Sequence, residues 1–340
     1  MPRTIKSPNR VAMHAAVVRS FSEPPRHERV PEPEPAGDHE VVIDVLAAAL
    51  HPRVRSQADG SHYESTGALP IVPGIDGVGR TADGELRYFV LPDTDRGSMA
   101  GRAVIDRRRS AVLPDDIDVV AVAAAVNPAM SSWIALRRRI AFRPGMNVLV
   151  LGATGNAGRM AIQVARHLGA GTVVAAGRDP DRMALLPGLG ADHVVPLTGD
   201  PEAVDRALAG AADDADVDVV IDYLWGTATE RALPAVLGRR SDRSRPLDWI
   251  QVGSMAGLEI PLRSEWLRAA RLQLVGSGQG AVPTRDIVEE LPLLAAHVAT
   301  DHYAIDAVPV PLRDVHAAWT ADRPAGARTV LVPGEADRAG

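Results

Sequence analysis

The chain has no cysteine in its 340 residues. Disulfides, thiol nucleophiles, iron–sulfur clusters and every cysteine-ligated zinc site are thereby excluded. Lysine is nearly absent as well, Lys6 being the single one, so almost all of the positive charge is arginine. A phosphate loop ending in Gly-Lys-Ser/Thr and a lysine Schiff base fall with it. So does a catalytic tyrosine with a lysine four residues on, because none of Tyr63, Tyr88, Tyr223 and Tyr303 has one. The net charge of -6 supplies no general basic field, which argues against a nucleic-acid partner. The arginine triplets Arg107 to Arg109 and Arg137 to Arg139 are short and read as solvated faces. Long apolar runs are missing too. "VVIDVLAAAL" and "IDVVAVAAAV" are each interrupted by an aspartate and fall short of the roughly 20 residues of a membrane helix. The first 30 residues show no apolar core of a signal peptide, so a soluble, cytoplasmic protein with a loose N-terminal extension is expected.

What is present is a change of period near residue 127. Before it lie short strand-like pieces divided by Pro and Gly, among them "MHAAVVRS", "EVVIDVLAAAL", "LRYFVL" and "GRAVID", which suggest an all-β unit. After it come six apolar strands, "NVLVLG", "TVVAAG", "DHVVPL", "VDVVID", "DWIQVG" and "LQLVG". Segments of helical length separate them, "NAGRMAIQVARHLGA" and "DPDRMALLPGLGA" included, so the expectation is an α/β, doubly wound parallel sheet over residues 128–280. A further helix, "TRDIVEELPLLAAHVAT", and two strand-like pieces, "YAIDAVPV" and "ARTVLVP", then return the tail to the first domain, composed of residues 1–127 and 281–340.

The first of the six strands runs into "GATGNAG". Gly152 ends the strand, Gly155 allows a pyrophosphate to approach the backbone, and Gly158 lets helix and strand pack closely. Thr154, Asn156 and Ala157 complete the turn, and the helix that follows points free N–H groups and the positive end of its dipole at the phosphates. A glycine turn alone is weak. The flanking strand, the helix and five further strands turn it into a dinucleotide site. At the end of the second strand, where an acid would hold the ribose of NAD, stand Gly177 and Arg178, with Arg182 one helical turn on. Arginines there suit a 2′-phosphate, so NADPH is expected. The alternative is that Arg178 is merely exposed and Asp179 takes the ribose.

These segments resemble the medium-chain dehydrogenase/reductases, close to their zinc-independent quinone oxidoreductase branch. "VLVLGATGNAGRMAIQVARHLGA", "LGADHVV" and "LPIVPGIDGVG" carry the likeness most specifically, and "MHAAVV", "EVVIDVLAAALHP", "VVIDYLWG" and "IQVGSMAG" extend it over roughly nine-tenths of the chain. The resemblance implies a doubly wound Rossmann domain plus a β-rich GroES-like domain, hydride transfer from NADPH, and a homodimer. It places Ser131, Gly253, Ser254 and Ser277 beside the nicotinamide and Tyr63 in the loop facing it; Asn127 and Trp133 are candidates to shape the cleft, although a tryptophan at the spacing of Trp133 is more often core. The chain departs from zinc-dependent members: the cysteines are gone, and Gly74, Ile75 and Asp76 occupy the place of their His-Glu pair. The stretch between Gly79 and Tyr88 is short, and His51 stands where Asn is usual.

Without a metal, hydrogen-bond donors must hold the developing charge, which is easier when that charge is delocalised over a quinone or an α,β-unsaturated carbonyl. His51, Asp59, His62 and Glu64 lie close together but match no zinc spacing. Tyr63 in "DGSHYES" is the candidate proton donor, and a tyrosine that only packs on substrate while water supplies the proton is the alternative. Three readings follow: a metal-free NADPH-dependent reductase of quinones or activated alkenes, an NADPH-binding protein with little turnover, and a carbonyl or alcohol oxidoreductase.

Overall fold

A computed structural model describes residues 12–61, 67–92, 94–278, 280–300, 303–321 and 326–338. The chain divides into two compact units, residues 1–127 with 291–340, and residues 128–290. The second boundary falls inside a continuous helix, where a reading by periodicity meets no break; a change of pattern at residue 280 marks only the turn before it.

The first unit opens with β1 (Ala12–Val17) and β2 (Arg26–Pro31), an antiparallel ribbon. The long strand β3 (Glu40–Ala49) follows, and then α1 (Pro52–Ala58), a helix the sequence reading did not contain. Pro52 starts it where a proline costs no hydrogen bond. Next come β4 (Asp76–Thr81), β5 (Leu86–Val90), β6 (Arg102–Asp106) and β7 (Ser110–Val112). β4 and β5 form a tight hairpin, which is what the short stretch between Gly79 and Tyr88 becomes. Gly77 and Gly79 are needed in β4 because a Cβ there would lie 2.8 Å from the Ala47 carbonyl and 2.6 Å from that of Asp44. Ile43, Val45, Phe89, Met99, Ile105 and Leu331 are among the residues of this unit's core.

Helix α2 (Val119–Ile134) carries the boundary between the units and continues as a π-turn over Ala135–Arg139. Together they span 21 residues, long and apolar enough to cross a membrane by length and composition, which the sequence reading did not foresee. Pro128 does not end the helix, so two shorter apolar pieces fuse, and two-thirds of the most apolar window is buried inside the protein. A buried core helix accounts for the pattern.

The second unit holds a parallel sheet of β8 (Val148–Leu151), β9 (Val173–Gly177), β10 (His193–Pro196), β11 (Val219–Asp222), β12 (Leu247–Gln251) and β13 (Leu272–Gly276). Their order is β10-β9-β8-β11-β12-β13, the doubly wound arrangement whose switch point lies between β8 and β11. β8, β9 and β11 are buried along their whole length, as parallel strands covered on both faces must be, and this is why they read as unbroken apolar runs. The crossover helices are α3 (Asn156–His167), α4 (Pro180–Met183), α5 (Pro201–Asp214), α6 (Gly226–Arg239) and α7 (Ser264–Ala269). α3 buries Met160, Ile162 and Val164 and is stopped by Gly169 in the left-handed region. α4 is shorter than expected from "DPDRMALLPGLGA": Pro187 starts a separate 3-10 turn, and Gly190 at φ +107° ends it.

After α8 (Thr284–Thr300) the chain supplies β14 (Ala307–Pro311), α9 (Val315–Thr320), β15 (Arg328–Val332) and α10 (Glu335–Arg338). β15 pairs with β3, so the tail completes a seven-stranded sheet of the first unit, β14-β15-β3-β4-β5-β7 with β6 on β3.

Candidate cofactor site

The glycine turn at the end of β8 is built by sterics. Gly152 has φ +89°, a region that favours glycine, and a Cβ on it would press against Leu224 at 3.0 Å. A Cβ on Gly158 would lie 2.3 Å from the Gly152 carbonyl, so α3 sits against the turn only because that side chain is missing. The amides of Gly152 and Ala153 both bond to the Ala176 carbonyl, fixing the turn to β9. Gly155 is the N-cap of α3 and offers no side-chain cap. The leading amides of this 12-residue helix therefore face outward as donors, the arrangement that receives a phosphate.

At the end of β9, a Cβ on Gly177 would meet the Thr154 methyl at 2.5 Å. Arg182 Nη2 donates to Asn156 Oδ1 at 3.4 Å. Thr154, Asn156, Gly177 and Arg182 are thus brought together, with Ala157 in the first turn of α3. Arg178 is exposed and makes no hydrogen bond or ion pair among the described residues. Asp179 is the N-cap of α4, its carboxylate accepting from the Arg182 amide at 3.2 Å. Its position as a cap leaves Arg178 as the freer of the two groups for a ribose substituent.

A second cluster forms around Tyr223, at the end of β11. Ser131 on α2 shares a hydrogen bond of 2.8 Å with the Tyr223 hydroxyl and donates to the Pro128 carbonyl. A Cβ on Gly253 would lie 2.8 Å from the Tyr223 carbonyl, and one on Gly152 3.3 Å from its Cβ. The Ser277 amide donates to Gln251, whose side chain donates to the Gly253 carbonyl. Ser254 is exposed one residue beyond. Burial pushes the Tyr223 phenol up to about 12, against the opposing pull of its Ser131 bond. The sequence reading missed Tyr223, although its place just after a buried strand, at the carboxyl edge of the sheet, is where such a sheet binds ligands.

Beneath it, Asp222 is fully buried and accepts from the amides of Leu224 and Trp225, from Thr229 at 2.5 Å and from Trp249 at 3.0 Å. These bonds hold the turn in which Trp225 takes φ +52°, unusual for a non-glycine residue. Trp133 is core: it is 1% exposed and donates to Glu290 at 2.8 Å. The triplet Arg137 to Arg139 is a correction to the solvated face expected of it. Arg137 and Arg138 both pair with the buried Glu290, and Arg139 bonds the carbonyls of Gly276 and Ala281.

In the first unit, His51 is buried, with Nε2 3.3 Å from Asp76 Oδ1, and Tyr88 donates to Asp76 Oδ2 at 2.7 Å. Burial, reinforced by the Asp76 charge, drives the Tyr88 phenol well above its ordinary range. Tyr63, His62 and Glu64 lie outside the described residues.

A sheet in the order 3-2-1-4-5-6, with a glycine turn and an uncapped helix at its first crossover, defines a dinucleotide-binding domain. The family model "Zinc-binding dehydrogenase" matches residues 157–237, within that domain. A probable NADPH-dependent quinone reductase, tdiC of Emericella nidulans, is 31% identical over 94% of this chain and all of its own. The 2-methylene-furan-3-one reductase of Solanum lycopersicum is 28% identical over 47% of this chain and 45% of its own. Among solved structures, the quinone oxidoreductase of Thermus thermophilus, also determined with NADPH, superposes with a TM-score of 0.77 at 26% identity, covering 94% of this chain and all of that one. The chain belongs to the medium-chain dehydrogenase/reductase superfamily, in its quinone oxidoreductase-like branch.

Proposed function

We propose that the chain is an NADPH-dependent oxidoreductase that reduces a quinone or an activated alkene, with residues 128–280 binding the cofactor and the β-rich domain, residues 1–127 and 281–340, receiving the substrate. The observation that carries the cofactor assignment is the end of β9, where the residue after the strand is the exposed Arg178 and the acid that follows it, Asp179, is engaged as the cap of α4. The full-length likeness to a quinone reductase and the likeness to an enone reductase support the substrate class. When bound, NADPH supplies the hydride. Gly152, Thr154, Gly155, Asn156, Ala157 and Gly158 would seat the pyrophosphate, with Gly177, Arg178 and Arg182 at the 2′-phosphate. Ser131, Gly253, Ser254 and Ser277 would line the nicotinamide end.

The reaction is proposed to need no zinc: the sequence has no cysteine to hold one as zinc-dependent relatives do, and a conjugated acceptor spreads the charge that a Lewis acid would otherwise offset. A cytoplasmic, homodimeric enzyme is part of the same reading. Its test is stopped-flow oxidation of NADPH against quinones, enones and unsaturated thioesters. Turnover on a quinone or enone is expected; tight NADPH binding with no oxidation across the panel would make the chain a nucleotide-binding protein instead. For the proton, Tyr63→Phe should slow enone reduction about 10²-fold, the lower range of general acid catalysis, and spare quinone reduction. Equal enone turnover would assign the proton to water.

A further inference from the structure

The first unit carries a constellation that hydride transfer does not use. His14 lies on β1 and His27 on β2. In the register of the ribbon His14 faces Arg29 and His27 faces Ala16, so the two histidines are diagonal neighbours on one face. Their rings stack with centroids 4.7 Å apart, inclined by 13°. Over that face sits α10. Its Asp337, 8% exposed, places Oδ1 2.8 Å from His27 Nε2 and accepts from the Gly334 amide with Oδ2. The helix is seated firmly, since a Cβ on Gly101 would lie 2.1 Å from the Asp337 carbonyl. The neighbouring Arg338 is turned away, donating to the carbonyls of Val45 and Pro333, and leaves the carboxylate charge to the histidines.

We propose that His14, His27 and Asp337 bind one divalent first-row transition-metal ion, of which zinc is the test case. Three facts carry this. One donor atom from each residue lies within 4.8 Å of the other two. His14 Nδ1 is buried and has no hydrogen-bond partner among the described residues, so a buried nitrogen lone pair or N–H is left without a use. The donor set, two imidazoles and one carboxylate, suits a borderline cation and offers too few oxygens for calcium or magnesium. Bond lengths of about 2.0–2.2 Å would place the donors roughly 3.4 Å apart; because each lone pair lies in its ring plane, the stacked imidazoles would turn out of their parallel arrangement to share the ion, with water completing the shell. The ion would join the first strand pair to the last helix, at opposite ends of the sequence. Its role is structural and stands apart from the proposed reaction, so its failure would leave that reading untouched.

The test uses the full chain, stripped with EDTA and dialysed against buffered zinc, with bound metal counted by mass spectrometry. One zinc per chain is expected, with a rise in Tm of at least about 2 °C at saturating zinc. His14→Gln and Asp337→Asn should each weaken binding at least about tenfold, the scale seen when even a supporting residue of a metal site is lost. His316→Gln, at an exposed histidine, should leave it unchanged. Zinc that is not retained, or is retained equally by both site variants, overturns the proposal. If the variants do not fold, mass-mapped diethylpyrocarbonate modification of the unaltered chain decides. Zinc that shields His14 and His27 upholds the site, and equal modification of both with and without zinc refutes it.

Discussion

A guanidinium in water gains little from distant charges, because salt screens it beyond about 8–10 Å; it gains much from a phosphate that docks against it. Arg178 is placed for that: exposed at the end of β9, on a glycine-ended strand, next to an aspartate serving as a helix cap. Arg182 differs, being drawn toward Asn156 across the turn. Arg178→Ala should therefore raise KM for NADPH about tenfold or more, the size of one charge-assisted hydrogen bond, and leave KM for NADH within about twofold. Steady-state kinetics with both cofactors measures this, and equal affinity for the two in the unaltered enzyme, unchanged by the substitution, would return the ribose to Asp179. The glycines of the turn were legible in the sequence because sterics dictate them: a Cβ on Gly158 would lie 2.3 Å from the Gly152 carbonyl, and one on Gly177 2.5 Å from the Thr154 methyl. Tyr223 was not legible in that way, since its partners Ser131, Gly152 and Gly253 are distant in sequence and meet only when the sheet forms.

Among the elements, the end of β11 and the residue after it combine a buried carboxylate, Asp222, with a buried phenol, Tyr223. Tyr223 holds its proton to about 12 in the folded chain, chiefly because burial disfavours the phenolate, whereas an unfolded tyrosine loses it near 10. Between those values the unfolded state binds fewer protons, so stability falls as pH rises. The contribution is intact below pH 10, and about 2 kcal/mol of it is lost by pH 11.5. Urea unfolding at pH 9 and pH 11.5 should show the native chain losing about 2 kcal/mol more than Tyr223→Phe, which has no phenol to ionise; parallel losses would mean that Tyr223 is not proton-locked by burial. The central strands β8, β9 and β11 were legible because burial on both faces writes them as runs of apolar residues, and the more exposed β10, β12 and β13 still keep two or three apolar residues each. The helices were less so. α4 ends early at the Pro187 turn, α1 is too polar and short to announce itself, and α2 runs through Pro128 because its apolar surroundings outweigh one lost hydrogen bond. The pairing of Asp76 with both His51 and Tyr88 spans two loops and three elements, beyond any local pattern.

For the molecule as a whole, the sheet of the second unit leaves β13 as an edge strand, and an edge with open backbone groups invites another chain. The connection leading into it is unusually apolar for a surface: Met255 is 78% exposed and Leu258 83%, with Leu262 and Leu267 also exposed. By contrast, the remaining exposed large hydrophobic side chains, Leu69, Val112, Leu185 and Leu293, are scattered along the described residues. Single exposed side chains of that kind are ordinary, whereas four within the one connection that leads into a sheet edge suit a surface for association. The homodimer proposed above, meeting edge to edge about a twofold axis as the family resemblance implies, would cover these side chains on both copies at once, since a twofold interface uses the same patch on each side. Light scattering on the purified chain at micromolar concentration should therefore give twice the chain mass. The double substitution Met255→Asp with Leu258→Asp, which puts like charges face to face across the axis, should give the single-chain mass while leaving NADPH binding intact. A native chain that runs as a monomer, or a double variant that stays dimeric, would rule this edge out as the interface.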